Sequence, residues 1–175
     1  MPYAPFKTRI FAFLLDYLII AAYGIFVVGS ISFLFPTYIT PLFFRSPAIA
    51  EVTGFVMITL PVSLYFILCE SSKWQGTWGK VKLGIRVVNK AGDRIEISRS
   101  VFRTAFKFLP WEAAHFAIWR LILPNDFPDV AVFVTLIASN MAILIYLISP
   151  LTHKSRRNVY DWAAGTKVVR PETKR

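Results

Sequence analysis

The sequence predicts an all-α polytopic membrane protein: a four-span helical bundle with a small cytoplasmic β-hairpin and an amphipathic interface helix. Three observations lead there. Hydrophobic residues make up 55% of the 175 and the mean hydropathy is +0.53, above the roughly 45–50% apolar content of a soluble domain. Apolar runs at 10–35, 51–70, 106–123 and 130–151 approach the ~20 helical residues that cross a bilayer. Basic residues crowd alternate connections between those runs, as the sidedness of membrane insertion requires.

Taken in order, residues 1–8 hold Pro2 and Pro5 and read as a short non-helical lead. The first span, 10–35, is broken only by Asp16. Residues 36–50 carry Pro36, Pro41 and Pro47 and read as an irregular outer loop. The second span, 51–70, starts and ends on glutamates, Glu51 and Glu70, with Pro61 as an expected kink. In the segment 71–105, Trp74 and Trp78 among basic residues suit a membrane interface. The β-branched runs 84–88 and 94–97 flank Asn89-Lys90-Ala91-Gly92-Asp93, a hairpin signal. Ser98 is the expected N-cap of a helix whose Arg99, Arg103 and Lys107, at i, i+4 and i+8, form one basic stripe. Pro110 is expected to interrupt that helix where an amphipathic piece meets the third span, 106–123. Ser139 and Asn140 in the last span, 130–151, read as interhelical hydrogen-bonding groups. In the tail, 152–175, residues 156–164 read as a short helix ended by Gly165, and 166–169 as a strand joining the hairpin. Residues 1–175 form one domain, with no repeat and no soluble second domain.

The net charge of +10 is distributed by topology. Nine Lys/Arg fall between Ser71 and Lys107 and seven more beyond Leu151, against only Arg45 in 36–50 and no base in 124–129. With four spans, every basic segment lies on one side. Both termini are therefore expected in the cytoplasm, and the chain in the cytoplasmic membrane as a multi-pass protein. The basic excess then faces anionic lipid headgroups rather than nucleic acid. Lys80, Lys82, Arg99, Arg103 and Lys107 are the expected headgroup contacts. The first apolar run is about twice the 7–15 residues of a signal-peptide core, so it reads as a retained span. Cys69, the lone cysteine, excludes an intrachain disulfide and a cysteine-cluster metal site.

Asp16 is the costliest residue in this scheme, since a carboxylate at a helix centre in hydrocarbon costs roughly 2.5–3.5 kcal/mol on insertion scales. Arg9 precedes it by two helical turns on the same face, about 10 Å along the axis. A base from another helix or from the tail is the better partner. Two readings stand: a structural ion pair between helices, or a proton or cation site. Glu112 and His115, three apart on one face, fit a packing pair or a proton relay. Glu-x-x-His also occurs in di-metal carboxylate bundles. His153 is the only other histidine, however, and a mononuclear site would have to recruit Asp16 or Glu70. No metal or other cofactor is assigned. Arg120 reads as snorkelling to the outer interface. No nucleophile elbow, phosphate loop or dinucleotide fingerprint is present, and the chain does not read as an enzyme.

Three blocks carry a family likeness. They are Arg9-Ile10-Phe11-Ala12-Phe13-Leu14-Leu15-Asp16, then Gly76-Thr77-Trp78-Gly79-Lys80 running on to Leu83-Gly84-Ile85-Arg86-Val87-Val88 with Gly92 and Arg103, then Arg157 to Val169 with Asp161 and Ala164-Gly165-Thr166. In these the chain resembles the RDD family of small integral membrane proteins, named for an Arg and two Asp residues. Trp78 replaces a commoner aliphatic residue, and Tyr160 stands where relatives often have His. The resemblance implies a polar signature cluster of Arg9, Asp16 and Asp161. Some relatives are associated with exchange of sodium or other monovalent cations for protons, others with assembly or quality-control complexes. It therefore implies two functions. In one, Asp16 alternately binds a proton and a cation in a homo-oligomer, with Arg9 and Asp161 tuning it and Glu112 and His115 as relay. In the other, the cluster is structural and the protein is a scaffold or accessory subunit that binds partner proteins or anionic lipid. Apart from the resemblance, Glu112 and His115 leave a third and weaker reading, a metal-dependent membrane enzyme, for which further ligands are lacking.

Overall fold

The computed structural model describes residues 1–152 and 155–171. His153, Lys154, Lys174 and Arg175, counted above in the tail, lie outside the described residues. Helix α1 covers Phe6–Leu34, α2 Pro36–Phe44 and α3 Pro47–Ser71. Then come α4 (Trp78–Lys82), β1 (Arg86–Asn89), α5 (Ile97–Ile122), α6 (Asp129–Thr152), α7 (Val159–Ala163) and β2 (Thr166–Val169). The long helices α1, α3 and α6 are long and apolar enough to cross a membrane. Their surfaces carry large apolar side chains such as Phe26 and Phe33, the latter 84% exposed. Lipid tails accept such a surface; water does not.

The chain divides into two units. The first combines Met1–Ile19, Ser63–Lys107 and the chain from Ile145 onward. Its centre is a two-stranded antiparallel sheet in which Arg86 pairs with Val169 and Asn89 with Thr166. The N-terminal lead runs along the free edge of β2: Ala4 N–H donates to Val168 O, and Arg170 N–H to Pro2 O, both at 3.0 Å. Ala4, Ala12, Ile85, Val87, Ile95 and Val168 form the small core beneath. The strand expected at 166–169 is present and is the main partner of β1. The expected hairpin arm at 94–97 is reduced to one bridge, Val88 with Arg94. Asn89 explains this: its Oδ1 takes the N–H groups of Gly92 (2.8 Å) and Asp93 (2.9 Å). A side chain thus closes the turn and leaves the ladder to β2.

The second unit combines Ile20–Val62 and Phe108–Leu144. The segment expected to be an irregular loop is helical. Pro36 and Pro47 sit in the first turns of α2 and α3, where a missing N–H costs nothing. Ser46 caps α3 by accepting Ile49 N–H at 3.3 Å.

Prolines inside the long helices do not end them. The interruption expected at Pro110 is absent, and α5 is helical throughout Ile97–Ile122. Proline removes the N–H that would bond the carbonyl four residues earlier. At Pro61 that carbonyl, Met57 O, accepts Tyr23 OH at 2.8 Å. At Pro110 it is Phe106 O, which accepts Tyr146 OH at 2.9 Å. At Pro150 it is Tyr146 O, which accepts Ser149 Oγ at 3.1 Å. A hydroxyl replaces the lost donor each time, as an apolar surrounding demands. Short π-helical stretches, Gly24–Gly29 in α1 and Phe55–Thr59 in α3, loosen the same helices.

Candidate functional site

The polar residues of the first unit converge on three carboxylates. Asp16 is 1% exposed on α1. Its Oδ1 accepts Tyr65 OH at 3.0 Å and Gly79 N–H at 2.8 Å, and its Oδ2 accepts the Thr77 hydroxyl. Lys80 Nζ stands 3.9 Å from the same Oδ2 and donates to Thr77 Oγ1 at 3.1 Å. The start of α4 is thus pressed onto α1. Only glycine permits the approach, since a Cβ at Gly79 would lie 2.3 Å from Ala12 O. Tyr65 OH in turn accepts Trp78 N–H at 2.9 Å.

The second carboxylate, Glu70, is fully buried at the end of α3. Its Oε2 pairs with Arg103 Nη1, while Oε1 has Lys80 Nζ at 3.1 Å and Lys107 Nζ at 3.7 Å. Lys107 Nζ also lies 3.5 Å from the centre of the Phe66 ring, a cation–π contact.

Asp161, on α7, completes the set. Arg103 grips its Oδ1 with Nε (3.0 Å) and Nη2 (2.8 Å), and Thr166 Oγ1 adds a third donor at 3.0 Å. Oδ2 takes Asn158 N–H at 3.3 Å and faces Arg9 Nη1 at 3.5 Å. Arg9 is itself held by the carbonyls of Ala4 (3.3 Å) and Val168 (3.1 Å). Burial alone would raise the Asp161 carboxyl, but the Arg103 and Arg9 guanidiniums overcome it and hold it below the usual range. Burial and then the Asp161 charge push the neighbouring Tyr160 phenol up to about 12. Arg103 is 1% exposed. Burial works against its charge, but Glu70 and then Asp161 raise its pKa, and its guanidinium sits 4.9 Å from the centre of the Tyr160 ring.

The expected Arg9–Asp16–Asp161 cluster is therefore split into two nodes. Arg9 meets Asp161, Asp16 has its own donors, and Glu70 links the nodes through Lys80 on one side and Arg103 on the other. Sequence reasoning took Glu70 for the end of a span and gave Tyr65, Thr77 and Thr166 no role. The signal available was a Glu directly after an apolar run, with no base beside it. The headgroup stripe needs correction as well. Arg103 is buried and ion-paired, and Lys80 and Lys107 turn toward Glu70. Lys82 and Arg99 are exposed, and Lys82 Nζ lies 5.0 Å from the centre of the Trp78 ring.

Glu112 and His115 belong to the second unit. Glu112 Oε1 accepts Thr59 Oγ1 at 2.6 Å and lies 3.6 Å from His115 Nδ1. Arg120 pairs with Glu51 at 3.0 Å and stacks on the Phe116 ring. Among the described residues, no three of His, Cys, Asp and Glu come together as a metal site requires.

Apolar helices joined to a sheet-and-helix cap through buried ion pairs define a helical membrane protein with an internal charge clamp. The chain belongs to the RDD family, whose pattern it matches over residues 3–165. A 51-residue stretch is 43% identical to the uncharacterized protein YxaI of Bacillus subtilis (strain 168), covering 29% of this chain. That stretch spans 33% of the relative's own length. No solved structure matches the chain.

Proposed function

We propose that this RDD-family membrane protein is a non-catalytic scaffold, in which the signature charges fasten the membrane helices to a cytoplasmic docking cap. One observation carries this reading: Asp16 is surrounded by donors. Two hydroxyls, one backbone N–H and an ammonium face it, an environment whose donors and positive charge disfavour an entering cation. The proposal includes a four-span topology, with the Pro110-to-Ile122 half of α5 as the fourth crossing. Its charges are compensated within that helix pairing by Thr59, His115 and Glu51. Both termini and the sheet then lie in the cytoplasm, where the exposed basic residues meet anionic headgroups and partner proteins.

A second reading, proton-coupled movement of monovalent cations through a homo-oligomer, draws support from the Thr59–Glu112–His115 hydrogen-bonded set in the apolar unit. Reconstitution into liposomes with a proton-sensitive dye separates the two. The scaffold reading expects no cation-dependent proton flux in wild-type protein, and co-purification of a stoichiometric membrane partner. Flux that disappears in a folded Asp16→Asn variant overturns it in favour of exchange.

A further inference from the structure

Outside the charge clamp, the first unit carries a groove of about 560 Å³ between the loop after α3 and the sheet. Lys73, Arg86 and Arg170 are its charged members, with Trp74, Val81 and Leu83 as its apolar wall. Among the described residues, none of those that line it is acidic. Among the described residues, none of the three cations has an acidic partner. All three are exposed, whereas the buried Arg103 is tied to Glu70 and Asp161.

The walls are fixed by the backbone. Val87 N–H donates to Gln75 O at 2.6 Å and Gly76 N–H to Cys69 O at 3.2 Å, holding the loop with Lys73 against β1. Gly84, at φ +65°, makes the turn from α4 into β1. Arg170 is held through its N–H to Pro2 O. The three cations thus converge on a prebuilt surface.

We propose that this groove binds the phosphate-bearing headgroup of an anionic phospholipid. Three unpaired cations match a phosphodiester, and position selects a lipid rather than a soluble anion. Lys73 follows the last residue of the apolar helix α3, Ser71, by two positions, which puts it at headgroup depth. Trp74, 58% exposed, and Trp78 flank it, as aromatic rings do at a membrane interface. The acyl chains then continue along apolar helix surface. The site rests on the membrane topology of the proposed function but not on whether the protein is a scaffold or an exchanger.

Nanodiscs of phosphatidylcholine containing increasing fractions of brominated phosphatidylglycerol test it. The readout is quenching of Trp74, taken as the difference between wild type and Trp74→Phe. Quenching is expected to saturate at a low phosphatidylglycerol fraction, while brominated phosphatidylcholine at equal fraction quenches weakly. The Lys73→Gln/Arg86→Gln/Arg170→Gln variant is expected to raise the half-saturating fraction by about fivefold for each charge removed. The equally charged control Lys7→Gln/Lys90→Gln/Arg94→Gln leaves it within twofold. Equal quenching by both lipids, or equal shifts in both triple variants, overturns the site. Displacement by millimolar inorganic phosphate assigns the groove to a soluble anion and overturns the lipid. The lipid comparison in wild type decides the matter even if the triple variant does not fold.

Discussion

Gly79 and Ala12 touch backbone to backbone: a single methyl group added at Gly79 would fall 2.3 Å from the Ala12 carbonyl oxygen and 2.9 Å from Asp16 Oδ1. The contact lets an N–H of α4 reach a carboxylate inside α1. Gly79→Ala is therefore expected to separate the two helices and lower stability by about 2–3 kcal/mol, in the range of overpacked cores. Thermal unfolding in detergent, followed by fluorescence-detected size exclusion, measures this. An unchanged midpoint would show that α4 shifts freely.

Arg103 serves two buried carboxylates at once. Arg103→Met leaves Glu70 to Lys80 and Lys107 and Asp161 to Arg9, and is expected to cost about 3–5 kcal/mol, the penalty of removing one partner from a buried ion pair. Neutralising the acids in the same chain, as Glu70→Gln/Arg103→Met/Asp161→Asn, is expected to recover a large part of that loss. Urea unfolding of the single and triple variants checks the order. If the triple variant is the less stable, the bases it leaves without carboxylates, Arg9, Lys80 and Lys107, outweigh the relief.

Acid titration offers a third check. The folded Asp161 carboxyl ionises at lower pH than in the unfolded chain, where it titrates near ~3.9. A depressed carboxylate contributes stability that is fully present above the unfolded value and is lost as pH falls through the folded one. The stability gap between wild type and Asp161→Asn should thus be constant above about pH 5 and shrink steadily below about pH 4. A gap that does not narrow on acidification would show that Asp161 acts without its charge.

The hydroxyls opposite prolines are testable as a coupled pair. Tyr146→Phe strands the Phe106 carbonyl left free by Pro110, at an expected cost of about 1–2 kcal/mol. In a Pro110→Ala background the helix regains its own N–H donor, so the same substitution should cost little. A double-mutant cycle on melting temperature reads the coupling. Additive effects would sink the replacement argument.

Much of this architecture was legible beforehand. Length and apolarity located α1, α3 and α6, and the β-branched run 166–169 identified β2. Asp161 and Arg9 emerged as signature residues through the family likeness. The direction in which each base points did not emerge. Spacing of i, i+4 and i+8 places Arg99, Arg103 and Lys107 on one helix face, but spacing is silent about what that face meets. A cation opposite headgroups and one opposite Glu70 have the same local sequence. The continuity of the helix through Pro110 escapes the sequence for a related reason. Whether Pro110 breaks a helix depends on a donor 40 residues away in sequence at Tyr146, and local rules do not see it.

The bond between Arg9 and Asp161 joins residues 152 positions apart, and it imposes an order of events. At about 5–20 residues per second, a ribosome needs roughly eight to thirty seconds to deliver the aspartate after the arginine. Throughout that interval Arg9, at the start of α1, lacks its carboxylate partner. Asp161 closes this contact only after all the residues between it and Arg9 have been made. A chain stopped before Asp161 keeps Arg9 and Arg103 without the carboxylate they share.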